Sequence, residues 1–138
     1  MSPPMGTWRG RLIVFLVLLL SGCASTGGIP PEPFVDVKVP DSFIPYSDRW
    51  IFIRTPQVTA AKLVYMTPLS LESAFSKVRD ELVKSGWIPG ESSRFVSPQG
   101  FRGISLDFTK GPDGCRVTAV EGPNATHVEL AVARLAQQ

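Results

Sequence analysis

The sequence predicts an α+β fold, a two-layer sandwich in which one helix packs on one face of an antiparallel sheet in the order β-β-α-β-β-β. Three observations predict it. Leu71, Phe75, Val78 and Leu82 recur at spacings of four, three and four, with Ala74 beside them, which makes an apolar stripe at the helical period. Downstream of Gly86 the period falls to two, first in Ile104, Leu106 and Phe108, then in Cys115, Val117 and Ala119, then in Val128, Leu130 and Val132. Upstream, the apolar segments Trp50 to Ile53 and Val58 to Met66 flank the turn Thr55-Pro56-Gln57 and read as a hairpin. A helix and a sheet that are each apolar on one side bury those sides most simply against each other.

In chain order, Phe34, Val35, Val37 and Val39 form a short extended stretch closed by Pro40, and Asp41 to Asp48 reads as a loop. Ala61, Leu63 and Tyr65 share one face of the second hairpin strand. The helix is predicted over Leu71 to Ser85, with Ser70 as N-cap, Asp80 and Lys84 as an i,i+4 pair, and Gly86 in the left-handed position that stops it. Trp87 then folds back onto the sheet. Arg94 to Ser97 is a short strand ending at the turn Pro98-Gln99-Gly100, and the stretch 88–103 is so punctuated by proline and glycine that its pairing stays undefined. The turns Gly111-Pro112-Asp113-Gly114 and Gly122-Pro123-Asn124-Ala125 join the last three strands into a meander.

The N-terminal region has a different character. Arg9 and Arg11 precede nine apolar residues, Leu12 to Leu20, and then Ser21, Gly22 and Cys23. As a helix those nine residues reach about 14 Å, less than half of a hydrocarbon core about 30 Å thick, so they suit the apolar region of a signal peptide better than a membrane span. Leu20-Ser21-Gly22-Cys23 resembles the lipobox of bacterial lipoprotein precursors. That resemblance implies recognition of Leu20, Ser21 and Gly22, cleavage before Cys23, and a thioether-linked diacylglyceride, with palmitate-type chains, on the Cys23 sulfur. The chain then divides into a signal peptide (1–22), a lipidated N-terminus with a Gly/Pro-rich tether (23–36), and one periplasmic α+β domain (37–138). The glycines and prolines between Ala24 and Pro33 suit a spacer that holds the domain off the lipid surface. Ala24 follows the cysteine where enterobacterial inner-membrane lipoproteins carry aspartate, so resemblance to that sorting rule implies the periplasmic side of the outer membrane. Each buried methylene contributes about 0.8 kcal/mol, so two or more acyl chains make the membrane a permanent partner.

Lipidation leaves Cys115 without a disulfide partner in the chain, and the two-residue period makes it a small buried strand residue. It also changes the charge. Of the 14 basic side chains Arg9 and Arg11 leave with the signal, and the rest balance the 12 acidic ones with the signs interspersed. No basic run remains to track a phosphate backbone, which excludes nucleic acid as a partner.

Catalysis needs convergent polar groups, and few are present. His127 is the only histidine and has no Cys, Asp or Glu at metal-ligand spacing, so neither metal nor other cofactor is expected. A Cys115–His127 pair on neighbouring strands lacks an oxyanion hole or a base-orienting group. Gly111 to Gly114 and Gly86 to Gly90 lack the strand-loop-helix context and the following lysine of a phosphate-binding loop. Asn124-Ala125-Thr126 matches a glycosylation acceptor, but a hairpin turn suffices to explain it. Glu121 with Glu129, and Asp107 with Asp113, occupy polar strand positions or turns, where solvated carboxylates are the rule.

A second resemblance rests on Leu63-Val64-Tyr65, the capped helix ending in Gly86-Trp87, Leu106 to Lys110, and Cys115-Arg116-Val117. Over residues 39–132 this series resembles small uncharacterised envelope lipoproteins of proteobacteria, and its layout is similar to the helix-grip domains of outer-membrane assembly lipoproteins. The implied function is non-enzymatic, a domain that binds or scaffolds a protein partner in the cell envelope. The alternative is a carrier or sensor of a small apolar ligand held in a groove between helix and sheet.

Overall fold

Alternating apolar and polar residues build a single seven-stranded antiparallel sheet in the computed structural model, which describes residues 32–136. The strands are β1 (Ile44–Pro45), β2 (Ile51–Arg54), β3 (Val58–Thr67), β4 (Ile88–Val96), β5 (Arg102–Lys110), β6 (Asp113–Glu121) and β7 (Thr126–Leu135). One α-helix, α1 (Leu71–Lys84), connects β3 to β4. Across the sheet the order is β3, β7, β6, β5, β4, with β1 and β2 both paired to the free side of β3. The α+β sandwich is therefore the observed architecture, with β1 added to the predicted order and the short strand expected at Arg94 to Ser97 extended backwards into a long β4. Signal peptide, lipobox and most of the tether lie outside the described residues.

One face of the sheet carries the predicted apolar series. Leu63 and Tyr65 of β3, Val128, Leu130 and Val132 of β7, Cys115, Val117 and Ala119 of β6, and Ile104, Leu106 and Phe108 of β5 are all buried, facing Leu71, Ala74, Val78 and Leu82 of α1. Phe75 is only partly buried at the edge of this stripe. Ser70 caps the helix, its hydroxyl accepting from the Ser73 N–H at 3.3 Å. At the other end the Trp87 N–H donates to the Leu82 carbonyl at 3.0 Å and the Gly86 N–H to the Val83 carbonyl at 3.1 Å, a Schellman closure made possible by φ +91° at Gly86. Lys84 pairs with Glu81 at 3.4 Å, one of the two neighbouring positions on that helix face, in place of the expected Asp80.

Two sequence-based expectations are corrected. Phe34 to Val39 is a turn and not a strand: the Val37 N–H donates to the Phe34 carbonyl at 2.9 Å, so Phe34 and Val37, three apart, both point into the core at 1% and 0% exposure. With Phe43 they form a strap whose Phe34 and Val37 side chains belong to the core. The second correction concerns the strand expected over Arg94 to Ser97: Arg94 to Val96 is the end of the nine-residue β4, and Ser97 lies just past it. β4 pairs with β5 throughout, with a bulge between Pro89 and Ser92 opposite Asp107. Its side chains are almost all exposed, so no alternation marks it in the sequence, and Pro89 fits because β4 is an edge. The core is closed by residues from Phe34 to Val132.

Candidate functional site

The groups with chemical potential are held apart. Cys115 lies on the core face opposite Val132, and burial pushes its thiol up to about 12, far from the thiolate a nucleophile requires. His127 lies on the other face, level with Met66 and Val120. The sheet itself separates the two, so the Cys115–His127 pair that neighbouring strands allow does not form. Strand adjacency brings backbones together, but parity decides the face.

The carboxylates of the polar strand positions are partnered by cations. Arg116 donates to Asp107 through Nε at 2.6 Å and Nη2 at 2.9 Å, and this hydrogen-bonded pairing holds the Asp107 carboxyl below the usual carboxylate range. Glu121 takes Arg102 and Glu129 takes Lys62, the latter at 3.0 Å. Asp113 receives Arg134 at 3.4 Å. Glu72, at the start of α1, is lowered mainly by its hydrogen bond from Arg94. Glu121 and Glu129, and Asp107 and Asp113, thus sit in separate ion pairs, and among the described residues no three of His, Cys, Asp and Glu converge as a metal site.

The groove expected between helix and sheet is filled. Trp87, Tyr65, Leu71, Leu82 and Leu130 are essentially without exposure there. Among the described residues the Tyr65 hydroxyl has no hydrogen-bond partner, and burial raises it to about 12.

A recess lies instead on the face that no other described element covers. The register sets Ile53, Ala60, Ala133, Gly114, Thr109 and Ile88 in one row across the sheet, and Ile51, Lys62, Ala131, Arg116 and Asp107 in the next. The central strands therefore present small side chains where neighbours project farther, leaving a depression of about 610 Å³ lined on one side by Ile51 and Ile53 and on the other by the Asp107–Arg116 pair. Ile51 and Ile53 are 52% and 57% exposed. Beyond Lys62 a second, more polar recess of about 600 Å³ contains Arg49, Lys62, His127 and Glu129. Farther along, the Phe95 ring lies across Gly103, where a Cβ would come within 2.7 Å of it and force the ring aside.

Sequence reasoning missed this recess. The available signal was small: along β7 the outward positions run His127, Glu129, Ala131, Ala133, so a face that begins polar becomes apolar toward its end.

No protein-family model matches the chain, and no curated protein is significantly similar to it.

Proposed function

We propose that the protein is a lipid-anchored envelope lipoprotein, acylated on Cys23 and held at the periplasmic side of the outer membrane. Its domain is a non-catalytic module that binds or scaffolds another envelope component through the uncovered face of the sheet. The observation that carries the binding reading is the recess walled by Ile51 and Ile53, two large apolar side chains left in solvent on a face that α1 does not cover. The anchor rests on the lipobox-like Leu20-Ser21-Gly22-Cys23. Photo-crosslinking in cells from a probe at Ile53, with a probe at Lys77 on the exposed side of α1 as control, tests the face. A discrete adduct from position 53 alone supports it; equal labelling from both positions, or none from position 53, overturns it.

The second reading, a carrier of a small apolar ligand, moves with the geometry from the filled helix–sheet interface to the same recess, whose volume lies in the range of about 300–1,000 Å³ common for small-molecule sites.

A further inference from the structure

The two edges of the sheet are built differently. β4, at one edge, carries Pro89, Glu91 and Arg94 and a bulge between Pro89 and Ser92, features that keep an open edge from pairing with another strand. β2, at the other, carries no proline, bulge or charge over Ile51, Phe52 and Ile53, each about half exposed, and among the described residues it pairs with β3 alone. Only its length of four residues limits it. Its backbone is turned for further pairing. The Thr55 N–H donates to the Val58 carbonyl at 2.8 Å, which makes Thr55 and Val58 a hydrogen-bonded pair across the hairpin. Antiparallel pairs alternate, so the N–H and C=O groups of Ile53 and Ile51 point toward β3 and those of Phe52 and Arg54 point outward. The side chains alternate as well. Ile51 and Ile53 stand on the recess face, whereas Phe52, opposite Ala61, stands on the helix face near Phe34 and Trp50.

Those alternations fit a second copy of the same strand. A two-fold axis through Phe52, perpendicular to the sheet, sets another β2 antiparallel to the first and keeps the faces of the two sheets continuous. Each Phe52 N–H then meets the other copy's Phe52 carbonyl. Each Arg54 N–H meets the other copy's Trp50 carbonyl, and the Trp50 N–H needs no partner there because it already donates to Ser47. Ile51-Phe52-Ile53 is symmetric about that axis, so Ile51 of one copy lies against Ile53 of the other and the two Phe52 side chains adjoin. Arg54 comes opposite Trp50, a cation beside an aromatic ring, and no two like charges are opposed along the paired strands.

We propose that two copies of the chain join edge to edge through β2, Phe52 beside Phe52, into one continuous sheet that carries both recesses on the same face. Three half-exposed side chains per copy bury well under the roughly 1,200 Å² at which stable interfaces begin, so the dimer is weak and reversible in solution. Copies anchored in one membrane meet at a higher effective concentration. The proposal goes beyond the binding reading above and depends on neither that reading nor the anchor.

The test uses the chain from Ala24 onward, which retains every core residue and carries no lipid of its own. Sedimentation equilibrium from about 10 μM to about 2 mM should show a monomer–dimer equilibrium with a Kd of about 0.1–1 mM. Phe52→Lys, which opposes two like charges at the axis, should raise that Kd by about tenfold or more, as should Phe52→Glu, and an equimolar mixture of the two variants should restore the dimer. Val96→Lys, on the β4 edge, should leave it unchanged. The register has its own readout. Ile51 of one copy and Ile53 of the other form a non-hydrogen-bonded pair with Cα atoms about 4.5 Å apart, within disulfide reach, whereas Ile51 and its symmetry mate lie on a diagonal of about 7–8 Å. In a glutathione redox buffer, mixed Ile51→Cys and Ile53→Cys chains should therefore give a covalent dimer that neither gives alone, with the native Cys115 buried and silent. This readout decides where a Phe52 variant fails to fold. A monomer throughout the concentration range, a dimer unmoved by a folded Phe52→Lys, a dimer broken by Val96→Lys, or equal disulfide capture in single and mixed chains each overturns the proposal. A monomer whose β2 positions crosslink to another protein in cells overturns it in favour of a strand donated by that protein, and leaves the uncovered-face reading standing.

Discussion

The Trp87 indole donates through Nε1 to the Asp36 carbonyl oxygen at 3.1 Å, linking the residue that follows the helix to a strap 51 positions earlier. The side chain of Asp36 extends the link. Its carboxylate accepts from Lys110 Nζ at 2.7 Å and pairs with Arg134, while Lys110 Nζ also donates to the Ser85 carbonyl at 2.8 Å at the end of α1. Both cations sit 5.9 Å from the centre of the Trp87 ring. One acidic residue thus joins the strap, the helix terminus and the ends of β5 and β7, with a buried aromatic ring at the junction.

Asp36→Ala should lower the stability of the domain by about 1–3 kcal/mol, since charge-assisted hydrogen bonds at a mostly buried group are lost and Lys110 is left unpaired. A chain beginning at residue 37 should lose more, because Phe34 leaves the core together with Asp36. Denaturant melts of chains starting at 32 and at 37 measure the difference. Equal midpoints would mean that the strap is not part of the folding unit.

The helix stripe divides in a way its spacing does not reveal. Leu82 is fully buried, so Leu82→Ala should cost about 2–5 kcal/mol through lost burial and a cavity. Phe75 is only partly buried, so Phe75→Ala should cost roughly 1–2 kcal/mol despite the larger side chain. Urea melts that reverse this order would place Phe75 and not Leu82 at the centre of the core.

Much of this fold was legible because burial on one face imposes a period. The β3, β5, β6 and β7 series were visible as alternation, and Ser70 and Gly86 marked the helix ends by chemistry that acts locally. Only the end of β4 was legible: an edge strand exposed on both faces is held by backbone pairing to β5, which leaves little pattern in side chains. The strap was obscured for the opposite reason. Phe34 and Val37 are buried through a turn, and valines at 35, 37 and 39 imitate a strand. The recess is harder still to read, since it is made by what Ala131, Ala133 and Gly114 lack, and its walls come from a strand distant in sequence.

Alkaline pH should destabilise the domain through two buried groups that the fold keeps neutral. The Cys115 thiol is raised from 9.0 and the Tyr65 hydroxyl from 10.0, each to about 12, both by burial. Between about pH 9 and about 12 the unfolded chain releases these protons while the folded chain retains them, so stability is intact below that window and falls as pH rises through it. In Cys115→Ala the decline should begin nearer pH 10, which guanidinium melts across the range will show. By the same burial, the native thiol should resist iodoacetamide at pH 8 and react once the chain is unfolded.

Acylation is tested directly by mass. Leu20-Ser21-Gly22-Cys23 offers the recognition residues and a thiol at the cleavage point, so protein purified from membranes should begin at Cys23 and carry a diacylglyceride increment on that residue. An unmodified Cys23, or an N-terminus elsewhere, would remove the anchor and with it the assignment to the outer membrane.

The non-catalytic reading makes its strongest demand on His127 and Cys115, the residues to which acid–base or nucleophilic chemistry would fall. They lie on opposite faces of the sheet, and the thiol is held protonated by burial. In a deletion strain, His127→Ala and Cys115→Ala should therefore restore function fully whenever the protein folds; alanine avoids placing an unsatisfied hydroxyl in the core. Ala131→Trp should fail to complement, because it fills the recess on the uncovered face. Cys23→Ala should fail as well, since an unanchored domain loses the high effective concentration that a tether maintains at the membrane. Loss of function in a folded, correctly located His127→Ala protein would place chemistry on that histidine, in the polar recess with Arg49, Lys62 and Glu129, and the binding-only reading would fall.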